Sequence, residues 1–338
     1  MTAVGIDLGT ANTIICHPRR GIVLDEPSAM VVRGDTRAKH LKPIMAGHEA
    51  RALTGRSPVG FTIVRPLHDG VIVDLEAARA YLAVVLPRMR SHGWRSSRHP
   101  RAVLGVPAGS TALERRALLE AADEAGVRRA RLLAEPIAGA LGCGLNPLEA
   151  RAHMVVDIGG GTSEVTAFCF GGILAHRSCR VAGDDMTLAL YQYLRNEHQL
   201  IVGELTAERV KCQLSIEQNL SLIAHGLDAA TGRPRMVTLG VSELVEALRP
   251  AVDTIIGALV TSLEDLPPEA VNDIMDEGIW AFGGGTLLRG FDKALEDSLG
   301  FPVRMADHPL TCVAEGAAAC LSHPEVLDAF DGSFAPTV

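Results

Sequence analysis

Short apolar runs bounded by turn residues open the chain. Residues 4–8, 13–16, 21–24 and 28–32 each read as a strand. Residues 34–59 are polar and contain AGHEARALTG, a short helix in what reads as a small insertion. Over residues 74–89 the period changes, with Leu75, Ala78, Leu82 and Val85 at helical spacing. RSHGWRSSRHPR, residues 90–101, reads as an exposed basic loop, and residues 102–106 as a strand. Thr111 followed by Glu114 fits a capping box, so a helix is expected from Thr111 to near Gly126. A short strand at 131–133 and a helix at 137–142 follow. In the second half, residues 171–181 read as a strand pair, Gly183-Asp184-Asp185 caps a helix through Tyr193, and another helix begins near Thr206. Residues 242–263 have helical spacing interrupted by Pro250. Residues 278–282 form a strand that runs into three glycines and a helix from Leu287, and residues 328–338 read as loose.

One pattern occurs twice, about 150 residues apart: GIDLGTANTII from Gly5 and VVDIGGGTSEVTAF from Val155. Each is an apolar run, an Asp, a turn rich in Gly and Thr, and a second run able to form a strand. That is a β-hairpin whose tip lets backbone approach backbone or ligand closely. Two such hairpins, one per half, suggest related domains that clamp a phosphorylated ligand.

Composition narrows the classes. The 338 residues leave room for two domains with large cores, and 47% are apolar. A net charge of −8 argues against a general nucleic-acid binder. Lysines are confined to Lys39, Lys42, Lys211 and Lys293, which limits the candidates for a catalytic amine. Seven scattered cysteines without a CxxC pair fit reduced thiols in a cytoplasmic protein and disfavour zinc. No signal peptide or spanning apolar stretch is visible, so a soluble protein is expected.

The candidate chemistry follows from residue types. In DLGTANT, Gly9 leaves room for a phosphate, Thr10, Asn12 and Thr13 supply donors, and turn amides form an anion nest. Asp7 repels phosphate, so its role there is a hydrated Mg²⁺; an ordinary hairpin is the alternative. In DIGGGT, Gly159, Gly160 and Gly161 cost chain entropy that phosphate contact would offset. Gly283, Gly284 and Gly285 can meet an anion at a helix start or lie against a purine, or they can be purely structural. Glu135 can orient a water towards a terminal phosphate, or simply favour its helix dipole. Glu208 and Lys211, three apart on one helix, read on spacing alone as an ion pair.

Taken together, DLGTANT, EPIAGALG, DIGGGTSEV, TAERVK and GGGTLLRG resemble the actin, sugar-kinase and Hsp70 ATPase superfamily. DEPSAMVV, VRPLHDGVIVDLEAA, VPAGSTALERRAL, AGDDM and HPLTCVAEGAA are similar to the MreB/Mbl family of bacterial actin homologues, over roughly residues 4–320. The resemblance implies an α/β, actin-like ATPase fold. Two related domains, each a mixed five-stranded sheet with flanking helices, would enclose a central nucleotide cleft. Domain I would span 1–150, with a subdomain near 33–65 and residues 312–338 returning to it; domain II would span 151–311, with a subdomain near 186–250.

The implied ligand is ATP, with GTP as an alternative, together with Mg²⁺. The implied activity is slow hydrolysis coupled to filament assembly. Carried over by position, Gly9, Thr10, Ala11, Asn12, Thr13, Gly159, Gly160, Gly161 and Thr162 would grip phosphates. Glu208 and Lys211 would contact the nucleoside, against the spacing argument. Gly283, Gly284, Gly285, Thr286 and Leu287 would border the nucleotide. Asp7 and Asp157 would lie near the metal through water, and Glu135 would orient the attacking water.

The implied partners are further copies of the chain, the inner face of the cytoplasmic membrane, and membrane proteins of cell-wall elongation or sporulation. Three departures stand out. Ala134 replaces the first of two acids before the proline, and Ala182 replaces the first glycine of a GGD. No amphipathic segment precedes the first strand, so the aromatic offered for membrane contact is Trp94 in its basic loop; a solvated loop is the alternative. A sugar or acetate kinase would need a sugar-recognising polar cluster. A chaperone would need a peptide-binding domain. A non-assembling regulatory paralogue is a further alternative.

Overall fold

The repeated Asp–turn–strand pattern sets the architecture. In a computed structural model, residues 3–34, 41–72, 74–88, 101–127, 129–216 and 221–331 are described. The basic loop around Trp94 lies outside those residues, as do Lys39 and 332–338.

In the first half, β1 (Ala3–Leu8), β2 (Asn12–His17) and β3 (Gly21–Pro27) form a meander. A three-stranded sheet follows, from β4 (Met30–Arg33), β5 (Pro43–Ala46) and, after the one-turn α1 (His48–Arg51), β6 (Phe61–Val64). The small hairpin β7 (Leu67–His68) and β8 (Val71–Ile72) leads to α2 (Leu75–Val85). The half closes with β9 (Arg101–Val106), α3 (Ala112–Glu124), β10 (Arg129–Ala134) and α4 (Glu135–Gly142). Asp74 caps α2 by accepting from the amides of Glu76 and Ala77. Thr111 and Glu114 make the reciprocal capping box expected of α3.

The second half repeats the plan with longer insertions. β11 (His153–Ile158), β12 (Ser163–Cys169) and β13 (Gly172–Cys179) form the meander. Next come α5 (Gly183–Asn196), β14 (Leu200–Ile201), α6 (Glu204–Ile216), β15 (Ser221–Asp228) and β16 (Pro234–Gly240). The chain then runs through α7 (Val241–Glu264), α8 (Pro268–Glu277), β17 (Ile279–Phe282), a 3₁₀ turn (Gly284–Leu287), α9 (Phe291–Leu299), β18 (Val303–Met305), α10 (Cys312–Ala319) and α11 (Pro324–Ala329).

The two main sheets have the same strand order. One runs β10-β9-β1-β2-β3 and the other β18-β17-β11-β12-β13, with the meander antiparallel and the two outer additions parallel. Asp7 pairs with Ile14 across the first hairpin, and Asp157 with Glu164 across the second. All six residues of β11 are buried, the apolar Met154, Val155, Val156 and Ile158 together with His153 and Asp157.

Helices α4 and α10 cross between the sheets at van der Waals distance. A Cβ on Gly316 would lie 1.7 Å from the Ala138 carbonyl oxygen, and one on Gly142 would lie 2.1 Å from that of Cys312. Glycine at both points lets the backbones touch. The same α10 lies on β1, where a Cβ on Gly5 would meet the Ala318 amide at 2.2 Å.

Three local expectations differ from the structure. Residues 171–181 hold one strand, β13, instead of a pair. Pro250 does not interrupt α7: the buried stripe of Leu244, Leu248, Ile255 and Leu259 continues across it, and the proline ring faces solvent. No helix begins at Leu287, because a 3₁₀ turn ends there and α9 starts only after left-handed Gly290.

Candidate functional site

The two hairpin turns are closed alike. The Gly9 amide donates to the Asn12 carbonyl at 3.0 Å, and the Gly159 amide donates to that of Thr162 at 2.9 Å. They come from opposite halves and touch. A Cβ on Gly160 would sit 2.9 Å from that of Ala11. A Cβ on Gly161 would sit 2.8 Å from the Cα of Asp69.

Asp69-Gly70 is the two-residue tip of the β7–β8 hairpin, and both residues have positive φ, 48° and 73°. An Asp-Gly pair is the favoured sequence for such a turn. It wedges between the repeats: the Gly70 amide donates to Thr10 Oγ1 at 2.9 Å, and a Cβ on Gly70 would lie 3.0 Å from Thr162 Oγ1.

Beneath the turns lies a cavity of about 370 Å³, within the range of small-molecule sites. Asp7, Gly9, Thr10, Ala11, Asn12, Glu135, Asp157, Gly159, Gly160, Thr162, Glu208, Lys211, Gly283, Gly284, Gly285 and Leu287 all line it. Three expected residues do not. Thr13 is fully buried, sharing a hydrogen bond with Ser28 Oγ at 2.9 Å and accepting one from the Tyr81 hydroxyl at 3.0 Å. Strand alternation turns it into the core, so its hydroxyl secures the hairpin instead of offering a donor to a ligand. Thr286 donates back to the Gly283 carbonyl at 2.8 Å, and Gly161 is spent on Asp69.

Two of the three glycines at 283–285 serve packing. A Cβ on Gly283 would lie 2.4 Å from the Ile158 carbonyl oxygen and 2.5 Å from Asp157 Oδ1. One on Gly285 would lie 2.2 Å from Ile158 Cγ2.

At the other end, Lys211 Nζ sits 2.8 Å from Glu208 Oε2 and donates to the Gly183 carbonyl at 2.7 Å and to Thr187 Oγ1 at 2.9 Å. Burial pushes the Glu208 carboxyl up, but Lys211 and the Thr187 hydroxyl outweigh it and hold the group below the usual range. The ion pair read from spacing is therefore present, and it also faces the cavity.

The floor is acidic. Burial pushes Asp7 up to about 7. Burial, then the charges of Asp7 and Glu164, raise Asp157. Burial, then Asp7, Glu164 and Asp157, raise Glu135. Among the described residues no cation offsets any of the three. Glu135 opens α4 and fits because position 105 is glycine, where a Cβ would lie 3.2 Å from Glu135 Cγ.

Glu164 is a fourth acid that the sequence reading missed. It is buried, its Oε2 accepts from the Ala108 amide at 3.2 Å, and burial raises it to about 7 against the pull of the Ala108 and Gly109 amides. Its signal was available: a four-residue turn after Asp157 puts position 164 directly opposite. Among the described residues no three acidic, His or Cys side chains converge to hold a metal ion directly.

The comparisons with known proteins agree with this geometry. The profile of the MreB/Mbl protein family matches residues 1–329. The cell shape-determining protein MreB of Escherichia coli is 38% identical over 333 residues, covering 97% of this chain and 95% of the relative. Cell shape-determining protein Mbl of Bacillus subtilis is 36% identical over 328 residues, covering 96% and 97%. Among solved structures, MreB5 of Spiroplasma citri bound to ADP superposes with a TM-score of 0.87 at 31% identity, covering 98% of both chains. A MamK double helical filament superposes at 0.77 with 25% identity, covering 95% of this chain and 98% of that one. With an actin-like α/β fold, a paired-turn cleft and a family match along nearly its whole length, the chain belongs to the MreB/Mbl protein family.

Proposed function

We propose that this protein is a filament-forming actin-like ATPase that binds adenine nucleotide between its halves, with 1–150 and 151–311 as the two domains. The observation that carries the reading is the contact of Gly160 with Ala11 above one cavity that also holds Glu135. Turn amides from both hairpins and the hydroxyls of Thr10 and Thr162 converge where a phosphate tail would lie. Glu208 and Lys211 occupy the nucleoside end, and Gly284 leaves backbone open to a base. Solved relatives carry ADP and an ATP analogue.

Buried, unneutralised Asp7 and Asp157 fit a divalent cation held through water, since burying carboxylates without a counter-charge is costly. Mg²⁺ bound there supplies neutralisation of phosphate charge. Glu135 orients a water towards the terminal phosphorus and takes its proton; ionised, it is a base inside a water-poor cleft. Asn12 and Thr162 position the phosphates.

Self-association is supported by the MamK filament and by an unpartnered sheet face. In β14, β15 and β16, Ile201, Ile223, Leu227 and Met236 are 40%, 51%, 45% and 60% exposed, while Leu222, Ala224 and Leu239 on the other face are buried. A second copy docked head to tail on that face makes an open chain of subunits. Placement at the inner membrane and a role in cell shape and wall synthesis are part of this reading, and membership of the family supports them. Among the described residues no helix is long and apolar enough to cross a membrane, so contact would be peripheral. Arg101 and Arg129, exposed and paired in register on β9 and β10, add positive charge next to the loop that carries Trp94.

High-speed sedimentation with and without ATP tests the reading. Polymer should pellet only with nucleotide, and Asp157→Ala should stay in the supernatant. Equal pelleting of both proteins regardless of ATP would refute it.

A further inference from the structure

The two halves also meet at the mouth of the cleft, beside the cavity that Asp184 helps to line. Arg65 directly follows β6, and its guanidinium crosses to two carboxylates of the other half. Nη1 lies 3.1 Å from Asp184 Oδ2, and Nη2 pairs with Glu204 Oε1. Arg51 on α1 adds a looser contact, 3.9 Å from Glu208. One planar guanidinium holding acids from α5 and α6 is a two-armed clasp, a geometry that lysine could not supply. The gap of about 500 Å³ around it is open to solvent, so salt reaches the pair.

Both arms are tied to the glycine turns. On one side, the Asp184 amide donates to the Gly160 carbonyl at 2.7 Å, and the Gly183 amide donates to that of Gly159 at 3.1 Å. On the other side, the Ser28 amide donates to the Ala11 carbonyl at 2.9 Å. Two residues further on, Met30 pairs with Val64 in antiparallel register, and Arg65 comes next. The spacing between Ala11 and Gly160 is thus linked to the clasp through a single amide contact on one side, and through an amide contact plus one strand pair on the other.

We propose that Arg65 is a positioning residue whose clasp to Asp184 and Glu204 holds the cleft shut over bound nucleotide and sets how fast ADP leaves. This rests on the nucleotide reading of the cleft. The clasp is made while the two turns are in contact, so parting the turns to let a nucleotide out must also part Arg65 from its acids. Product release then depends on salt, because both pairs are partly exposed and salt screens their attraction.

The test follows release of a fluorescent N-methylanthraniloyl ADP from the full chain by stopped flow, at low and high salt. Arg65→Gln should speed release about three- to tenfold at low salt and remove most of the salt dependence, as loss of two exposed charge pairs allows. The swap of Arg65→Glu with Glu204→Arg should restore slow release, which a merely structural role would not do. Hydrogen exchange on the nucleotide-free chain reads the clasp by itself: Arg65→Gln should raise exchange at residues 61–65 and 183–187. Wild-type and Arg65→Gln chains that release ADP equally fast, with equal salt dependence, would overturn the gate while leaving the nucleotide site intact. Absence of ADP binding by the wild type would overturn both. Unchanged exchange would show that no clasp forms.

Discussion

At the scale of single residues, the side of the strand on which an atom points decides its role. Thr10 and Thr13 are both hydroxyl donors within one turn, yet only Thr10 reaches the cavity, because Thr13 has entered β2 and faces Tyr81. The sequence showed that donors were present but not which ones the pleat would spend on the core. Glu135 was legible as a carboxylate after a strand, but its three acidic neighbours became visible only in the fold. Replacing Glu135 with Ala should leave nucleotide binding intact and slow phosphate release by about 10²-fold or more. A phosphate-release assay showing lost binding with unchanged residual turnover would remove it from this role. Asp7 allows a pH test. Its folded value, about 7, lies above the ordinary carboxyl value of 3.8. The folded chain therefore holds the proton more tightly, and the stability this contributes is full below pH 4 and is lost as pH rises through 7. Ligand-free protein should lose on the order of a few kcal/mol over that window, and Asp7→Asn should lessen the loss, with Glu135, Asp157 and Glu164 carrying the remainder. Denaturant titrations of both proteins across pH 4 to 8 would reveal it.

At the scale of elements, periodicity found strands and helices well where the apolar stripe was unbroken, and capping chemistry placed the start of α3. It misjudged α7, where a proline looked like a break. A proline in a helix interior costs about 3 kcal/mol, and the buried leucine and isoleucine stripe on either side offsets it. The 3₁₀ turn at Gly284–Leu287 was read as a helix start because three glycines before an apolar pair fit either. Gly283 and Gly285 are instead required by Ile158, a contact between elements about 125 residues apart in the chain. The crossing of α4 and α10 has the same character. Gly316→Ala would place a methyl group against the Ala138 carbonyl and should destabilise the fold by about 1–3 kcal/mol or more. A thermal melt indistinguishable from wild type would mean that the helices can separate freely.

At the scale of the whole molecule, duplication makes a cleft and leaves surfaces for assembly. β15 alternates exposed and covered positions, and Met236 of β16 is 60% exposed, so one substitution can poison the surface without touching the core. Met236→Glu should lower the fraction pelleted with ATP while nucleotide affinity stays unchanged. Pelleting equal to wild type would place the subunit contact elsewhere. From the sequence alone came the two glycine turns, the strands that bear them, most residues that line the cavity and the family, since these depend on side chains adjacent or a few positions apart along the chain. Only the tertiary structure set the two turns against each other, put Asp69-Gly70 between them, brought Glu135 beside Asp7 and Asp157 and carried Arg65 across to Asp184. Those placements depend on strand register and on packing between segments far apart in the chain, which no local pattern encodes.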